Sequence, residues 1–404
     1  MLSSGVFYAN SDNCGQSEAG DAVIIIGGGR VVTPHGVVES GWVAIEGERI
    51  VATGVGDPDE PLDIDLRSRT LLPGFVDQHC HGGGGNSFIT TDPAEAYRAA
   101  RLHQEHGTTS IVASLVSGSR EDLTDQIRAL SPLVDQGVIE GIHLEGPWIS
   151  KHHRGAHDPA QLRDPTQEEV GELLAIGAGR IKMVTIAPEL HGAIKAIHQM
   201  VRAGVVAAVG HTDADYDRTN LAIKAGATVG THLSNAMRAL HHRDPGPVAA
   251  LLEAPNVTVE LIADGVHVHP AILRIVAAEA GYDRIALVTD AMAAAGAADG
   301  HYMLGKLDVD VIDGEAHLVE GGAIAGSTLT LDKAMRYMVL TGHTTLANAV
   351  KMLSATPART MGLTDRGKIE VGMRADLLIL GPRLEVEAVM VRGDWVHHTP
   401  GAIL

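Results

Sequence analysis

Eight apolar runs, each followed by a polar–apolar helical stretch, predict an α/β chain whose middle closes as a (β/α)8, TIM-like barrel. Two β-rich ends flank that middle and predict a small β-sandwich domain built from both chain ends. Six imidazole and carboxylate side chains (His79, His81, Glu145, His211, His232 and Asp290) fall one after another at the ends of the predicted strands. In a closed barrel the active site forms where strands run out into their following loops. Such side chains are what a borderline divalent cation binds.

The 404 residues suffice for one large domain and a small one. The boundaries are read as 1–20 for a disordered leader, 21–72 with 366–404 for the β-sandwich, and 73–365 for the barrel. The leader is rich in Ser, Gly, Asn and Asp and lacks the basic start and apolar stretch of a signal peptide. In the sandwich, β-branched runs at 22–27, 36–45 and 49–55 are separated by Gly-rich turns. The same texture returns at 368–371, 375–380, 386–391 and 394–398.

In the barrel the candidate strands are 73–79, 108–114, 138–145, 180–187, 205–211, 227–232, 257–263 and 284–290, with helices such as 93–106, 120–135 and 166–176 between them. The strands are apolar on both faces, as parallel strands covered by helices must be. An open doubly wound sheet would need an early Gly-x-Gly-x-x-Gly turn opening on a helix. The glycine run 82–85 follows a His-x-His strand end instead.

A hydrophobic content of 45% and a charged content of 20% are those of a soluble globular protein. No apolar run reaches the ~18 residues that span a bilayer, so the expected compartment is the cytoplasm. The net charge of −19 argues against nucleic acid or an anionic membrane surface as partner. A small anionic substrate stays possible, because a local cluster of Arg, His and metal overrides the net field. Cys14 lies in the leader, and Cys80, pointing away from its flanking rings, reads as a small buried apolar side chain.

Each motif has a bland alternative. In Pro73-Gly-Phe-Val-Asp-Gln-His-Cys-His81, a spacing of two puts both imidazoles on one strand face. An isolated His-x-His is more often a pair of loop histidines; after a buried-type strand the ligand reading leads. The following glycines let backbone approach whatever the rings hold. Gly141-Ile-His-Leu-Glu-Gly-Pro147 ends a strand with Glu145, which is either a loop carboxylate or a buried one that needs a partner. The basic loop 151–158 either reaches over the site as a lid or is solvated surface. His211 and His232 end neighbouring strands and can jointly hold an ion, with Asn235 orienting a ligand through its amide. Arg243 is a surface loop arginine or a partner for phosphate or carboxylate. Asp264 reads first as a helix cap; Asp290 is a cap or a buried acid that takes and returns a proton.

These residues resemble the amidohydrolase superfamily, and more narrowly its N-acetylglucosamine-6-phosphate deacetylases. The resemblance is carried by the Pro-Gly-Phe-Val-Asp-x-His-x-His opening, His143-Leu-Glu-Gly-Pro147, Gly155-Ala-His-Asp158, Gly210-His-Thr212, His232-Leu-Ser-Asn-Ala-Met237, Ala263-Asp-Gly-Val-His267, Thr289-Asp-Ala-Met292 and Ile324-Ala-Gly-Ser327. Lys368-Ile-Glu-Val-Gly-Met-Arg-Ala-Asp-Leu377 is shared across the superfamily and carries no substrate information. Many relatives bridge two metals with a carboxylated lysine on strand four. Lys182 lies early in that strand here, so Glu145 takes the bridging place.

The resemblance implies hydrolysis of N-acetyl-D-glucosamine 6-phosphate to D-glucosamine 6-phosphate and acetate, a step of amino-sugar catabolism or cell-wall recycling. It implies one or two divalent ions per subunit, zinc first, with Fe2+, Mn2+, Co2+ or Cd2+ as alternatives. Glu145, His211 and His232 would hold one; His79, His81 and Asp290 the other. Asp290 would shuttle the proton, and His157 or His267 would support the oxyanion. Substrate would meet Ala156, Arg243, His267, the amides of Asn235 and Ala236, and Ile324, Ala325 and Gly326. An arginine like Arg243 comes from the neighbouring subunit in this family, which implies a C2 homodimer. Rivals are an N-acetylgalactosamine-6-phosphate deacetylase, a dihydroorotase-like hydrolase, and a non-catalytic relative, the last disfavoured by six retained ligands.

Overall fold

The computed structural model describes residues 7–8, 22–341 and 343–404. The expected leader, with Cys14, otherwise lies outside the described residues; within it, Phe7–Tyr8 pair antiparallel with Ala52 and Thr53. Contacts divide the chain into two compact units. One is Met1–Val76 with Gln104–Thr109 and Thr344–Leu404; the other is Asp77–His103 with Ser110–His343. The stretch 344–365, assigned to the barrel by sequence, groups with the chain ends.

In the first unit the two chain ends join in a single nine-stranded sheet. Its order runs Phe7–Tyr8, Arg49–Val55, Gly36–Glu46, Ile24–Thr33, Thr70–Pro73, Leu377–Leu380, Val386–Val391, Asp394–His398, with Ile64–Asp65 paired onto Ile24–Thr33. Val43 and Ile50 from one end share an apolar core with Leu377 and Met390 from the other, so the sheet curls over itself. The strand expected at 368–371 does not form. Gly367 and Gly372 both take positive φ and break the extended run, leaving a turn with one bridge from Arg374 to Arg49.

The second unit is built on a ring of eight parallel strands: β1 Phe75–Cys80, β2 Thr108–Leu115, β3 Gly141–Glu145, β4 Ile181–Ile186, β5 Val206–Val209, β6 Val229–Gly230, β7 Thr258–Leu261 and β8 Ile285–Leu287. It carries all of them but the first two residues of β1 and of β2, which group with the first unit. Sheet order follows chain order from β1 to β8. Backbone bonds close the ring, with the Asp290 N–H donating to His79 O at 2.9 Å and the His81 N–H to Ala291 O at 2.8 Å. Strand interiors such as β3 and β8 are wholly buried, as a sheet covered on both faces requires. Helices follow the strands, and polar caps start them: Ser119 accepts from the Asp122 N–H, Thr166 from Glu169, Asp215 from Arg218.

One insertion escaped the sequence reading. After β8 come three antiparallel strands, Gly300–Leu304, Leu307–Ile312 and Glu315–Leu318, before the helix Leu331–Leu340. The signal was present. Leu307 to Ile312 alternates exposed and buried, and Asp313-Gly314 makes the turn with positive φ at both residues.

Candidate functional site

All six rim residues converge, buried, at one mouth of the barrel. His79 and His81 leave β1 on one face, and Glu145 is the last residue of β3. His211, His232 and Asp290 follow the ends of β5, β6 and β8 and take φ of 46°, 26° and 47°. Non-glycine residues seldom occupy that left-handed region. Here it turns three side chains sharply inward as their strands stop, a pattern of strain that gathers at functional sites.

Glu145 is the hub. Its Oε1 lies 3.0 Å from His232 Nε2, 3.1 Å from His211 Nε2 and 3.4 Å from His79 Nε2; its Oε2 lies 3.1 Å from His81 Nε2. Asp290 Oδ1 sits 3.3 Å from His81 Nε2 and 3.5 Å from His79 Nε2. Two overlapping donor groups result, His79 with His81, Glu145 and Asp290, and Glu145 with His211 and His232.

The hydrogen bonds on the far side of the rings test whether a cation fits. His79 Nδ1 faces Glu260 Oε2 at 3.1 Å, His81 Nδ1 faces Ser114 O at 3.1 Å, and His211 Nδ1 faces His153 O at 2.8 Å. Those oxygens only accept, so each Nδ1 carries a proton, and with a cation bound each ring is neutral and presents its Nε2 lone pair to the ion. The Nε2 atoms of His79 and His81 are 3.2 Å apart, those of His211 and His232 3.1 Å. Lone pairs so close need positive charge between them, and outer carboxylate and carbonyl partners are what metal-bound histidines use. The donor set fits a divalent metal.

The electrostatics agree. Burial disfavours charge on His79, yet Glu145, Asp290 and Glu260 hold its pKa well above the usual imidazole value, so the ring itself takes up positive charge where no cation supplies it. Burial likewise opposes ionisation of Glu145 and Asp290, and the facing imidazoles still pull both carboxyls below their usual range. Burial pushes His211 down to about 4, so its ring is neutral at physiological pH.

The remaining expected residues divide. A cleft of about 350 Å³ above the cluster is lined by Ala156, His157, Asn235, Ala236, His267, Ile324 and Gly326. Ala325 is not among them. It is fully buried in an apolar cluster with Met292 and Ala316, and its N–H donates to Ala316 O. The Asn235 N–H donates to His232 O at 2.9 Å. Its side-chain amide donates to the same carbonyl at 3.2 Å. Arg243 is exposed, donates to His242 Nε2 at 2.8 Å, and lies outside the cleft lining.

Asp264 caps no helix, since His269 caps Pro270–Ala280. Its Oδ1 accepts from the Val266 and His267 N–H groups, and its Oδ2 takes His267 Nδ1 at 2.6 Å, orienting that ring. The loop 151–158 supplies five cleft residues, and its carbonyl at His153 holds His211. The glycine run serves a tight turn: Gly82 and Gly83 pair with Ser87 and Asn86, and a Cβ on Gly82 would meet Asn86 O at 2.4 Å. Cys80 is buried as expected but polar in its contacts, with Sγ 3.2 Å from His103 Nε2.

Three supporting residues went unread. Glu260, midway along β7, binds Gln78 Nε2, His79 Nδ1 and the His232 N–H. His143 is locked between Ser114 Oγ and Thr185 Oγ1, and burial with the charge on His79 pushes its pKa well down. Asp77 takes the Thr289 hydroxyl at 2.6 Å. A carboxylate inside an apolar strand was the available signal for Glu260 and Asp77.

A family model described as the amidohydrolase family matches residues 70–396. The chain is 33% identical over 360 residues to the N-acetylglucosamine-6-phosphate deacetylase of Lysinibacillus sphaericus, across 88% of this chain and 91% of that one. It is 34% identical over 366 residues to the N-acetylgalactosamine-6-phosphate deacetylase of Escherichia coli O157:H7, across 89% and 96%. The solved N-acetyl-D-glucosamine-6-phosphate deacetylase of Mycobacterium smegmatis superposes with a TM-score of 0.90 at 47% identity, covering 93% of this chain and 100% of that one. With the family model matching residues 70–396 and relatives and a solved barrel matched over most of both chains, the chain belongs to the amidohydrolase family, in its N-acetylglucosamine-6-phosphate deacetylase branch.

Proposed function

We propose that this chain hydrolyses the acetamide of N-acetyl-D-glucosamine 6-phosphate to D-glucosamine 6-phosphate and acetate. The observation that carries the reading is the convergence of four imidazole Nε2 atoms on Glu145 at the mouth of a barrel shared with deacetylases.

Glu145, His211 and His232 would hold one divalent ion and His79, His81 and Asp290 a second, with Glu145 shared. Zinc suits these nitrogen and oxygen donors, with Fe2+, Mn2+, Co2+ and Cd2+ as other candidates. When bound, such an ion lowers the pKa of a water toward neutrality and polarises an amide carbonyl. Asp290, ionised at neutral pH, takes a proton from the attacking water and returns it to the departing nitrogen, which leaves poorly as an anion. His157 donates to the carbonyl oxygen as charge gathers there. His267 and the turn at Asn235 and Ala236 face the sugar phosphate. Arg243 of a second copy completes the phosphate site, so the working unit is a C2 homodimer; its exposure in its own subunit supports this. Among the described residues no helix is long and apolar enough to cross a membrane, and we assign the enzyme to the cytoplasm, where sugar phosphates are retained.

The test is acetate release from N-acetylglucosamine 6-phosphate, beside the galacto epimer and dihydroorotate. Fastest turnover of the gluco substrate is expected. Preference for the galacto epimer would move the chain to the sister activity, and turnover of dihydroorotate alone would reject both.

A further inference from the structure

Two cavities of about 350 Å³ lie side by side in the barrel unit and share a wall. Val116, Ala156 and Leu304 line both. One cavity is the cleft over Glu145 and Asp290; the other opens behind the wall toward Ile89, Gln126 and Leu307. Val116 follows β2, Ala156 lies in the loop after β3, and Leu304 ends the first strand of the antiparallel insertion. All three are buried in one apolar cluster.

Sheet order gives the wall its direction. In a ring of eight strands β2 stands opposite β6. Asn235 and Ala236 follow β6, and His267 follows β7, on the side where the deacetylase reading seats the phosphate. In the pyranose ring C2, which bears the acylated nitrogen, lies across from C5, which bears the phosphorylated C6. With phosphate toward β6 and β7 and the carbonyl at Glu145 and Asp290, the acyl methyl is the part that reaches the β2 side. There it meets Val116, Ala156 and Leu304, beside His157, whose Nε2 lies 3.3 Å from Glu145 Oε2.

We propose that Val116, Ala156 and Leu304 form the acyl wall of the cleft and restrict it to acetyl, and that the second cavity admits a longer unbranched acyl chain once the wall is trimmed. This rests on the deacetylase reading and names the feature that selects its acyl group. Methyl contact with three apolar side chains is favourable, whereas each further methylene collides with the wall. One methylene in an apolar pocket discriminates by about 10- to 200-fold.

The experiment measures kcat/KM of the metal-loaded full chain on N-acetyl-, N-propionyl- and N-butyryl-glucosamine 6-phosphate, for wild type, Leu304→Ala, Val116→Ala and Leu304→Met. Wild type should lose about tenfold or more per added methylene. Either alanine variant should raise the butyryl-to-acetyl ratio by about tenfold or more, and Leu304→Met should keep the wild-type profile. A flat profile in wild type would overturn the wall without needing any variant to fold. So would an unchanged ratio in both alanine variants with wild-type circular dichroism. Absence of turnover on every substrate, N-acetyl included, is a separate result: it removes the deacetylase reading, and the wall with it.

Discussion

The backbone N–H of Ser117 donates to Nδ1 of His157 at 3.2 Å, and Ser117 Oγ lies 2.9 Å from the same nitrogen. The ring proton is therefore on Nε2, which points at Glu145 Oε2 as a donor. His79, His81 and His211 have the opposite polarity, with Nδ1 protonated and Nε2 bare. One cluster thus holds rings built to bind a cation and a ring built to donate. Replacing His157 with Ala should lower kcat by about 10²- to 10³-fold, the usual cost of a lost oxyanion donor, with bound metal at the wild-type level. Metal loss in step with activity would make His157 a ligand instead.

Asp290 Oδ1 lies 3.3 Å from His81 Nε2 and 3.5 Å from His79 Nε2 and borders the cleft. The change Asp290→Asn keeps its shape and removes its basicity. We expect kcat to fall by roughly 10²- to 10⁴-fold with metal content nearly intact by elemental analysis. Retained turnover would remove it as the proton carrier.

Glu260 reaches no substrate, but it fixes the proton of His79 and the backbone of His232. Glu260→Ala should weaken metal affinity by about 10- to 100-fold, as loss of an outer partner does, measured by chelator competition. Glu260→Gln, which leaves an acceptor in place, should recover part of it. Equal affinity in all three proteins would make the contact incidental.

Arg243→Ala should raise KM for N-acetylglucosamine 6-phosphate while leaving hydrolysis of the non-phosphorylated sugar nearly unchanged. Equal losses on both substrates would reject a phosphate role.

Asp264 supports a pH prediction. Burial opposes its charge, but the bond to His267 outweighs burial and holds the carboxyl below its usual value of 3.8. A carboxyl depressed in the folded state stabilises the fold fully above its unfolded pKa and loses that contribution as pH falls through the folded one. The Tm of wild type should therefore drop more steeply below about pH 4 than that of Asp264→Asn. Parallel curves would show that the pair contributes nothing to stability.

Local rules made much of this protein legible. A strand of buried type followed by His, Glu or Asp is a feature of a few consecutive residues, and so His79, His81, Glu145, His211, His232 and Asp290 stood out along the chain. Eight repetitions of strand and helix also forced a ring, which set those residues at one mouth. Hydrogen-bond direction was not legible, because it depends on partners distant in the chain. Ser117 decides which nitrogen of His157 donates, Glu260 decides which nitrogen of His79 is bare, and each pair is joined only when the barrel closes. The insertion 300–318 carried a hairpin signal of its own, but that Leu304 closes the cleft and Ala325 turns away from it follows from how the insertion packs. Residue type and strand-end position, both properties of short stretches, named the chemistry; tautomer, orientation and cavity shape come from contacts between distant stretches, and only the folded chain supplies them.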